Sequence, residues 1–173
     1  MEMKPLNKSD YAGKKFTARY TTTGYYDICT VEDGFRMNYV PFDTPVEKSF
    51  DDVFFGEWLE NPTAFGAFED GQIIGFAEGS LETWNNRFRI SNICVFDHAK
   101  RSGGIGTLLM DEMIKAARDR KARMMVLETQ SCNENAIAFY KKNGFAVIGF
   151  DLYAYSNTDP EQHEIRVEMG KKL

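Results

Sequence analysis

Three closely spaced glycines lie between an apolar segment and an amphipathic segment, and they constrain the fold more than any other feature. The stretch Ile93–Thr107 reads ICVFDHAKRSGGIGT, in which Gly103, Gly104 and Gly106 follow a basic loop. The residues before the loop have the composition of a central strand. After it, apolar residues recur at a period close to 3.6. The pattern predicts a β-strand, a glycine-rich turn and an α-helix, in that order.

A helix that begins at such a turn is suited to bind an anion. Its first backbone N–H groups have no intrahelical partner, and the helix dipole adds partial positive charge. A pyrophosphate can bind there through the backbone alone. Glycine is favoured because a Cβ would hold the phosphates away from the backbone. Lys100 and Arg101 add positive charge at the rim.

Three other readings of the glycine cluster have to be weighed. A dinucleotide-binding turn requires GxGxxG and an acidic residue about 20 positions later, whereas these glycines read GGxG. A phosphate-binding P-loop requires GxxxxGK followed by Ser or Thr, which the sequence lacks. A tight loop without any ligand remains open on this motif alone.

A second motif follows about 27 residues after Gly106. Asn133–Phe145 reads NENAIAFYKKNGF, with an Asn before a short predicted helix, Tyr140 on that helix and Gly-Phe after it. Together with RSGGIG, which has the spacing RxxGxG, this order resembles the Gcn5-related N-acetyltransferase (GNAT) superfamily. In that family the glycine loop binds the pyrophosphate of coenzyme A, so the resemblance implies acetyl-CoA as the cofactor.

Within the superfamily, three further segments are similar to streptothricin acetyltransferases. They are ETWNN (Glu82–Asn86), LETQSCN (Leu127–Asn133) and GFDLYAY (Gly149–Tyr155), and the likeness covers roughly Ala64 to Tyr155. The resemblance implies direct transfer of acetyl from acetyl-CoA to a primary amine of a cationic small molecule, with streptothricin as one candidate. Acetylation of a protein N-terminus or lysine, and a non-catalytic acyl-CoA sensor, are the alternatives.

The resemblance also implies the fold. We expect an α/β (α+β) chain with a central mixed twisted sheet flanked by helices on both faces. A single GNAT domain is expected over residues 1–173, with a variable acceptor-shaping part (1–62), an acetyl-CoA-binding core (63–155) and a terminal strand (156–173). From the residues themselves, Asp70-Gly71 predicts a hairpin turn, Gly24 a turn, Phe50–Leu59 a short helix, and Ser131 with Glu134 a capping box.

Site residues are carried over position by position. Tyr140 matches the general acid that protonates the departing thiolate, and Asn133 matches a cofactor contact, although it could equally be a helix cap. A backbone N–H near Val95 would bind the thioester oxygen. The residues expected to bind the cofactor are Cys94, Val95, Arg101, Ser102, Gly103, Gly104, Ile105, Gly106, Thr107, Asn133 and Tyr140.

The general base departs from the family pattern. Related enzymes often carry an acidic residue on the central strand, but the matching stretch, ISNICV, has Ser91 and Asn92 there. Neither is a base near neutral pH. Carboxylates elsewhere could act through a water chain or bind a cationic acceptor. Trp84 could stack on the acceptor, stack on a cation or lie in the core. The acceptor-site candidates are Glu78, Glu82, Trp84, Glu128 and Asp151.

Charge and composition limit the partners. The net charge is −5, with ten acidic residues and one Lys between positions 41 and 82, and nine basic residues against four acidic ones between 86 and 123. This division does not suit nucleic-acid binding, which favours one dominant basic face. The longest apolar runs are about five residues, far below the roughly 20 of a membrane span. We expect a cytoplasmic protein with no metal and three reduced cysteines (Cys29, Cys94 and Cys132). Dimers are frequent among such enzymes, so a homodimer is an open alternative to a monomer.

Overall fold

A computed structural model describes residues 1–96 and 103–173 of the chain. Within these ranges there are nine strands and four helices. In chain order they are β1 (Glu2–Pro5), α1 (Lys8–Tyr11), β2 (Lys15–Val31), β3 (Gly34–Val53), β4 (Thr63–Glu69), β5 (Gln72–Glu82), β6 (Arg87–Val95), α2 (Ile105–Asp119), β7 (Met124–Gln130), α3 (Glu134–Lys142), β8 (Ala146–Asp151), α4 (Asp159–Gln162) and β9 (Arg166–Lys172).

Seven of the described strands form one mixed sheet in the order β1-β4-β5-β6-β7-β9-β8, and β2 and β3 form a sheet of two strands. The pairs β1–β4, β4–β5, β5–β6 and β8–β9 are antiparallel, whereas β6 and β7 are parallel. Parallel neighbours need a crossover connection, and α2 provides it. The predicted α+β fold with a mixed central sheet is confirmed.

The chain divides into two compact units. The first consists of Met1–Arg19, Ser49–Leu127 and Lys171–Leu173, and the second of Tyr20–Lys48 and Glu128–Gly170. The glycine turn and α2 belong to the first unit, and α3 belongs to the second.

In the first unit, apolar groups pack on both faces of β5. The ring centroid of Phe76 lies 4.3 Å from that of Phe54 and 4.8 Å from that of Phe16. On the opposite face β5 packs against α2, since a Cβ at Gly75 would lie 3.5 Å from Leu109. Because side chains alternate along a strand, Glu78 shares the face of Phe76.

The second unit is built around α3 and β9. Ile137 of α3 and Val167 and Met169 of β9 are fully buried. The N–H of Tyr26 in β2 donates to the carbonyl of Ser131 at 2.9 Å, and the N–H of Ser131 donates to the carbonyl of Ile165 at 2.7 Å. The middle of the hairpin is therefore held directly to the segment before α3.

The hairpin turn and the two helices predicted from neighbouring residues are confirmed. Asp70 and Gly71 join β4 to β5 with φ of 49° and 78°, the left-handed backbone that tight hairpin turns require. The predicted helices after the glycine cluster and after Asn133 are α2 and α3. Gly144 follows α3 with φ of 85°, as a C-terminal glycine should.

The predicted turn at Gly24 is wrong. Strand β2 runs through Gly24 to Val31, and the hairpin turns before Gly34. A Cβ at Gly24 would lie 2.5 Å from the hydroxyl oxygen of Tyr39 and 2.5 Å from the carbonyl oxygen of Val40. Glycine is therefore required for close packing within the hairpin, which the sequence cannot distinguish from a turn.

The predicted helix at Phe50–Leu59 is also wrong. Strand β3 extends to Val53, and the N–H of Phe54 then donates to the carbonyl of Lys14 at 3.0 Å. Phe54 and Leu59 are buried, but Trp58, which the helical pattern placed beside them, is 65% exposed. Pairing with the distant Lys14 segment overrides the local periodicity.

Candidate active site

Helix α2 begins with its N-terminus open. Its N-cap residue, Gly104, has φ of 78°, in the left-handed region that favours glycine. Among the described residues no side chain caps this end, and no acidic residue lies in the first turn. A Cβ at Gly103 or Gly104 would meet no described atom within 4 Å. Backbone N–H groups that no described side chain caps, at the start of a 15-residue helix, fit a pyrophosphate.

Three further residues of the predicted cofactor site follow Gly104 in the first turn of α2. Ile105 is buried under the first turn of α2, whereas Thr107 is exposed and Gly106 partly exposed. Arg101 and Ser102, together with Lys100 and His98, lie outside the described residues.

Strand β6 leads to this turn. Its parallel pairing with β7 begins at Arg87 and ends with Arg89 opposite Val126, whereas β6 continues to Val95. Cys94 and Val95 are paired on the other side with Phe76 and Gly75. A Cβ at Gly75 would lie 2.8 Å from the carbonyl oxygen of Cys94. The predicted cofactor residues Cys94 and Val95 are thus fixed by close packing against β5.

Asn133 is the N-cap of α3. Its side-chain oxygen accepts a hydrogen bond from the N–H of Ala136 at 3.3 Å. The predicted capping box is wrong, because the Ser131 hydroxyl donates to the carbonyl of His163 instead. The Glu134 carboxylate accepts hydrogen bonds from Thr23 and from the Tyr39 hydroxyl at 2.6 Å. Asn133 therefore has a capping role, and a cofactor contact by Asn133 stays a prediction.

Tyr140 is on the buried side of α3. Its side chain is 7% exposed, and its ring lies 6.2 Å from that of Phe145. The carbonyl of Tyr140 accepts the N–H of Phe145 at 3.0 Å where the chain leaves the helix at Gly144. The NGF sequence after α3 thus fixes the position of the Tyr140 backbone.

Glu78 on β5 is a fully buried carboxylate. It accepts hydrogen bonds from the side-chain amide of Asn92 and from the N–H of Phe55, both at 2.9 Å. The same amide nitrogen of Asn92 donates to Asp52 at 3.1 Å. Burial raises the pKa of Glu78; the two hydrogen bonds oppose that increase and the charge of Asp52 adds to it. Of the predicted carboxylates, Glu78 alone meets Asn92 of the ISNICV stretch among the described residues.

Glu82 and Trp84 lie at the other end of β6. Glu82 forms ion pairs with Arg87 at 3.0 Å and with Arg89 at 2.6 Å. Trp84 is 83% exposed, with its ring 5.9 Å from the Arg87 guanidinium, so the core position considered for it is wrong. The eight-residue step from Arg87 to Val95 spans roughly 26 Å. These two residues are therefore far from the start of α2.

Glu128 and Asp151 both lie beside Arg166 in the second unit. Glu128 pairs with the Arg166 guanidinium at 2.8 Å and accepts the Tyr155 hydroxyl at 3.5 Å. Asp151 is opposite Arg166 in the β8–β9 register and accepts the N–H of Tyr153 at 3.0 Å. Strand β8 ends at Asp151 because the chain turns there. Both carboxylates already have partners that neutralise or fix them.

The chain matches a known protein family. The model of the acetyltransferase (GNAT) family matches residues 31–145, more than half of the chain. The chain belongs to the GNAT family. It is an N-acetyltransferase of that family, and acetyl-CoA is its acetyl donor.

Relatives within the GNAT family cover nearly the whole chain. A streptothricin acetyltransferase of Streptomyces lavendulae is 33% identical over 159 residues, which cover 87% of this chain and 84% of that protein. The crystal structure of a nourseothricin acetyltransferase has a TM-score of 0.80 at 28% identity and covers 99% of this chain and 97% of its own. A Bacillus anthracis protein solved with acetyl-CoA shares the fold, with a TM-score of 0.73 at 23% identity over 99% of this chain and 97% of its own.

Sequence reasoning missed Asp52 and Phe55. Neither is in a family motif. Phe55 contacts Glu78 across 23 positions of the chain, and Asp52 contacts Asn92 across 40. Phe55 has φ of 53°, a rare backbone for a bulky side chain, where its N–H donates to Glu78. Nothing local in the sequence marks either residue.

Cys132 does not resemble an acyl-enzyme nucleophile. Cys132 is buried beside the Tyr20 hydroxyl at 3.4 Å, and burial raises the pKa of its thiol, which disfavours the thiolate. His163 stacks on Tyr25 with ring centroids 3.7 Å apart. In the described ranges no group of three or more His, Cys, Asp or Glu side chains is placed to hold a metal ion. Nor does any described helix have the length and apolarity to cross a membrane.

Proposed function

We propose that this GNAT enzyme acetylates a primary amine of a cationic small molecule, and that streptothricin is an acceptor. The supporting observation is the length of the similarity. The Streptomyces and nourseothricin relatives cover at least 84% of both chains, so the likeness includes regions outside the acetyl-CoA motifs. The acceptor-shaping role of residues 1–62, and the cofactor core at 63–155, belong to this proposal.

Charge supports a cationic acceptor. Positions 41–82 carry ten acidic residues and one Lys. Several of these carboxylates, including Asp43, Glu47 and Asp51, are exposed or partly exposed on β3. An acidic surface raises the local concentration of a polycation and speeds its encounter.

Roles for the chain's own residues follow from the chemistry. Acetyl-CoA supplies an acetyl group on a thioester, which releases a thiolate when an amine attacks. The N–H groups at Gly104 and the first turn of α2 would hold the pyrophosphate. The end of β6, at Cys94 and Val95, would lie alongside the pantetheine.

The leaving thiolate needs a proton donor, and this is the role proposed for Tyr140. We propose that its phenol donates a proton to the leaving thiolate. A phenol has an ordinary pKa near 10 and a thiol near 8.5, so the transfer from Tyr140 to sulfur is within general-acid range. Through its capping hydrogen bond, Asn133 would fix the first turn of α3 and thereby the position of Tyr140 on that helix.

Thiol release from acetyl-CoA by the purified protein tests the acceptor. We expect release that depends on streptothricin, with an acetylated product identified by mass spectrometry. Streptothricin whose β-lysine amine is already acetylated is the matched control and should give no release. Release with peptides but not with streptothricin would replace this acceptor by a protein amine. Acetyl-CoA binding without release from any amine would favour a sensor.

A further inference from the structure

Removal of the acceptor's proton lacks an assigned residue. An alkylamine has an ordinary pKa near 10.4, so at neutral pH it is an ammonium ion that cannot attack a thioester. The central-strand positions at which family members often carry a carboxylate are Ser91 and Asn92 here. A proton acceptor must therefore come from another element.

Strand register brings such a group to Asn92. Glu78 of β5 is opposite Asn92, and the next pair is Gly79 with Ile90, so Ser91 is an extra residue in β6. A bulge of this kind often re-aims side chains next to an active site. The Ser91 hydroxyl oxygen is buried and has no hydrogen-bond partner among the described residues, which is unusual for a buried donor.

The two carboxylates at Asn92 differ in exposure. Glu78 is fully buried, whereas Asp52 is partly exposed. Both accept from the same Asn92 amide nitrogen, at 2.9 Å and 3.1 Å, so Asn92 holds them in one cluster. Asn92 is three residues before Val95, roughly 10 Å along the strand from the predicted thioester site.

The surroundings of Glu78 leave its charge without a cation. Its opposite residues are Ala64 on β4 and Asn92 on β6, and its other donor is the Phe55 backbone. Among the described residues Glu78 forms no ion pair, and Asp52 is the charged group that acts on it. An unpaired buried carboxylate is costly for folding, and such groups cluster at functional sites.

We propose that Glu78 takes up the proton that the acceptor amine loses before acetyl transfer. Asp52, the partly exposed carboxylate beside the same Asn92 amide, receives this proton first and passes it to Glu78. The N–H bond of the ammonium breaks with its electron pair staying on nitrogen. An O–H bond forms on the Asp52 carboxylate. That bond then breaks as an O–H bond forms on Glu78, which becomes a neutral acid while Asp52 returns to its ionised form. The inference depends on amine acetylation by this family member, not on streptothricin as the acceptor.

A carboxylate that must be ionised gives the rate an acidic limb. As pH falls through the pKa of Glu78, its carboxylate is protonated and kcat/KM falls. Because the pKa of Glu78 is raised, this limb should lie above the ordinary range of Glu near 4.3. In Asp52→Asn the neighbouring negative charge is removed, and the limb should move to lower pH.

The first experiment follows side-chain carboxyls of the free protein by ¹³C NMR across pH, with no substrate present. One Glu signal should titrate at raised pH in the wild type and be missing in Glu78→Gln. If every Glu carboxyl titrates in the ordinary range, the proposal is overturned, whatever the acceptor proves to be.

The second experiment measures kcat/KM against pH with streptothricin or another amine that the protein acetylates. Glu78→Gln should lose about 100-fold at neutral pH, together with the acidic limb, while its Kd for acetyl-CoA stays within about twofold. Glu112→Gln, which removes a partly exposed α2 carboxylate paired with Lys115, is the matched control and should keep the wild-type profile. A wild-type limb retained in a folded Glu78→Gln protein would refute the role of Glu78.

Discussion

Two glycines with the same backbone allow cofactor binding to be separated from folding. Gly104 at the start of α2 and Gly71 in the β4–β5 turn both have φ of 78°, and a Cβ at either would meet no described atom within 4 Å. Substitution by Ala therefore adds the same methyl group to the same left-handed conformation in open space. Gly104 lies at the proposed pyrophosphate site, whereas Gly71 lies in a surface hairpin turn.

The folding cost should be equal in the two variants. A left-handed backbone costs a non-glycine residue roughly 1–2 kcal/mol, and no described side chain adds a clash. For a chain of 173 residues, 1 kcal/mol lowers Tm by about 2–4 °C. Gly104→Ala and Gly71→Ala should thus melt within a few degrees of each other.

The binding cost should differ. Charge-assisted hydrogen bonds contribute about 1.5–3 kcal/mol each, and a Cβ at Gly104 would separate the phosphates from at least one backbone N–H. A loss of 1.4 kcal/mol is a tenfold change. We expect the Kd for acetyl-CoA, measured by isothermal titration, to rise roughly tenfold or more in Gly104→Ala and to stay at the wild-type value in Gly71→Ala. Equal affinity in the two folded variants would refute the assignment of the α2 N-terminus to the pyrophosphate.

Two further predictions concern Tyr140 and Glu82. Tyr140→Phe removes the proposed proton donor but keeps the ring that packs on Phe145. In the thiol-release assay kcat should therefore fall about 100-fold or more, while Tm and the Kd for acetyl-CoA stay nearly unchanged. An unchanged kcat would remove Tyr140 from the mechanism. Burial opposes ionisation of Glu82, but hydrogen bonds from Arg89 and Asn85 prevail and lower its pKa. Its stabilisation is therefore present above the unfolded pKa near 4.3 and lost as pH falls through the folded pKa. In urea unfolding, Glu82→Gln should lose about 1–2 kcal/mol at pH 7 and nothing once the pH is below both pKa values; an equal loss at both pH values would contradict the ion-pair account.

The accuracy of the sequence predictions follows the range of the interactions. Asp70-Gly71, the 3.6 period after Gly104 and the Asn before α3 act within a few residues, and the structure has the turn and helices they predict. Long-range pairing governs the N-terminal third. There Gly24 is needed for the approach of Tyr39, and Phe54 pairs with Lys14, so periodicity predicted a turn and a helix that do not form.

The residues of the candidate site follow the same rule: those in contiguous motifs could be predicted, and those placed by tertiary contacts could not. The glycine turn, Asn133 and Tyr140 could be named from the chain because each is part of a contiguous motif. Glu78 could be named only as one of several carboxylates, and Asp52 and Phe55 could not be named at all. Strand register selects Glu78, because it places that carboxylate opposite Asn92 and leaves Glu82 between two arginines.

By itself the sequence determined the family, the cofactor and the strand–turn–helix that begins at Gly104, since backbone N–H groups at a helix start are exposed by local geometry alone. Tertiary structure decided which carboxylates are paired, which are exposed and which one is buried beside Asn92. The physical reason is that the pKa of a carboxyl depends on burial and on neighbouring charges. For Glu78 those neighbours come from residues 14 to 26 positions away along the chain.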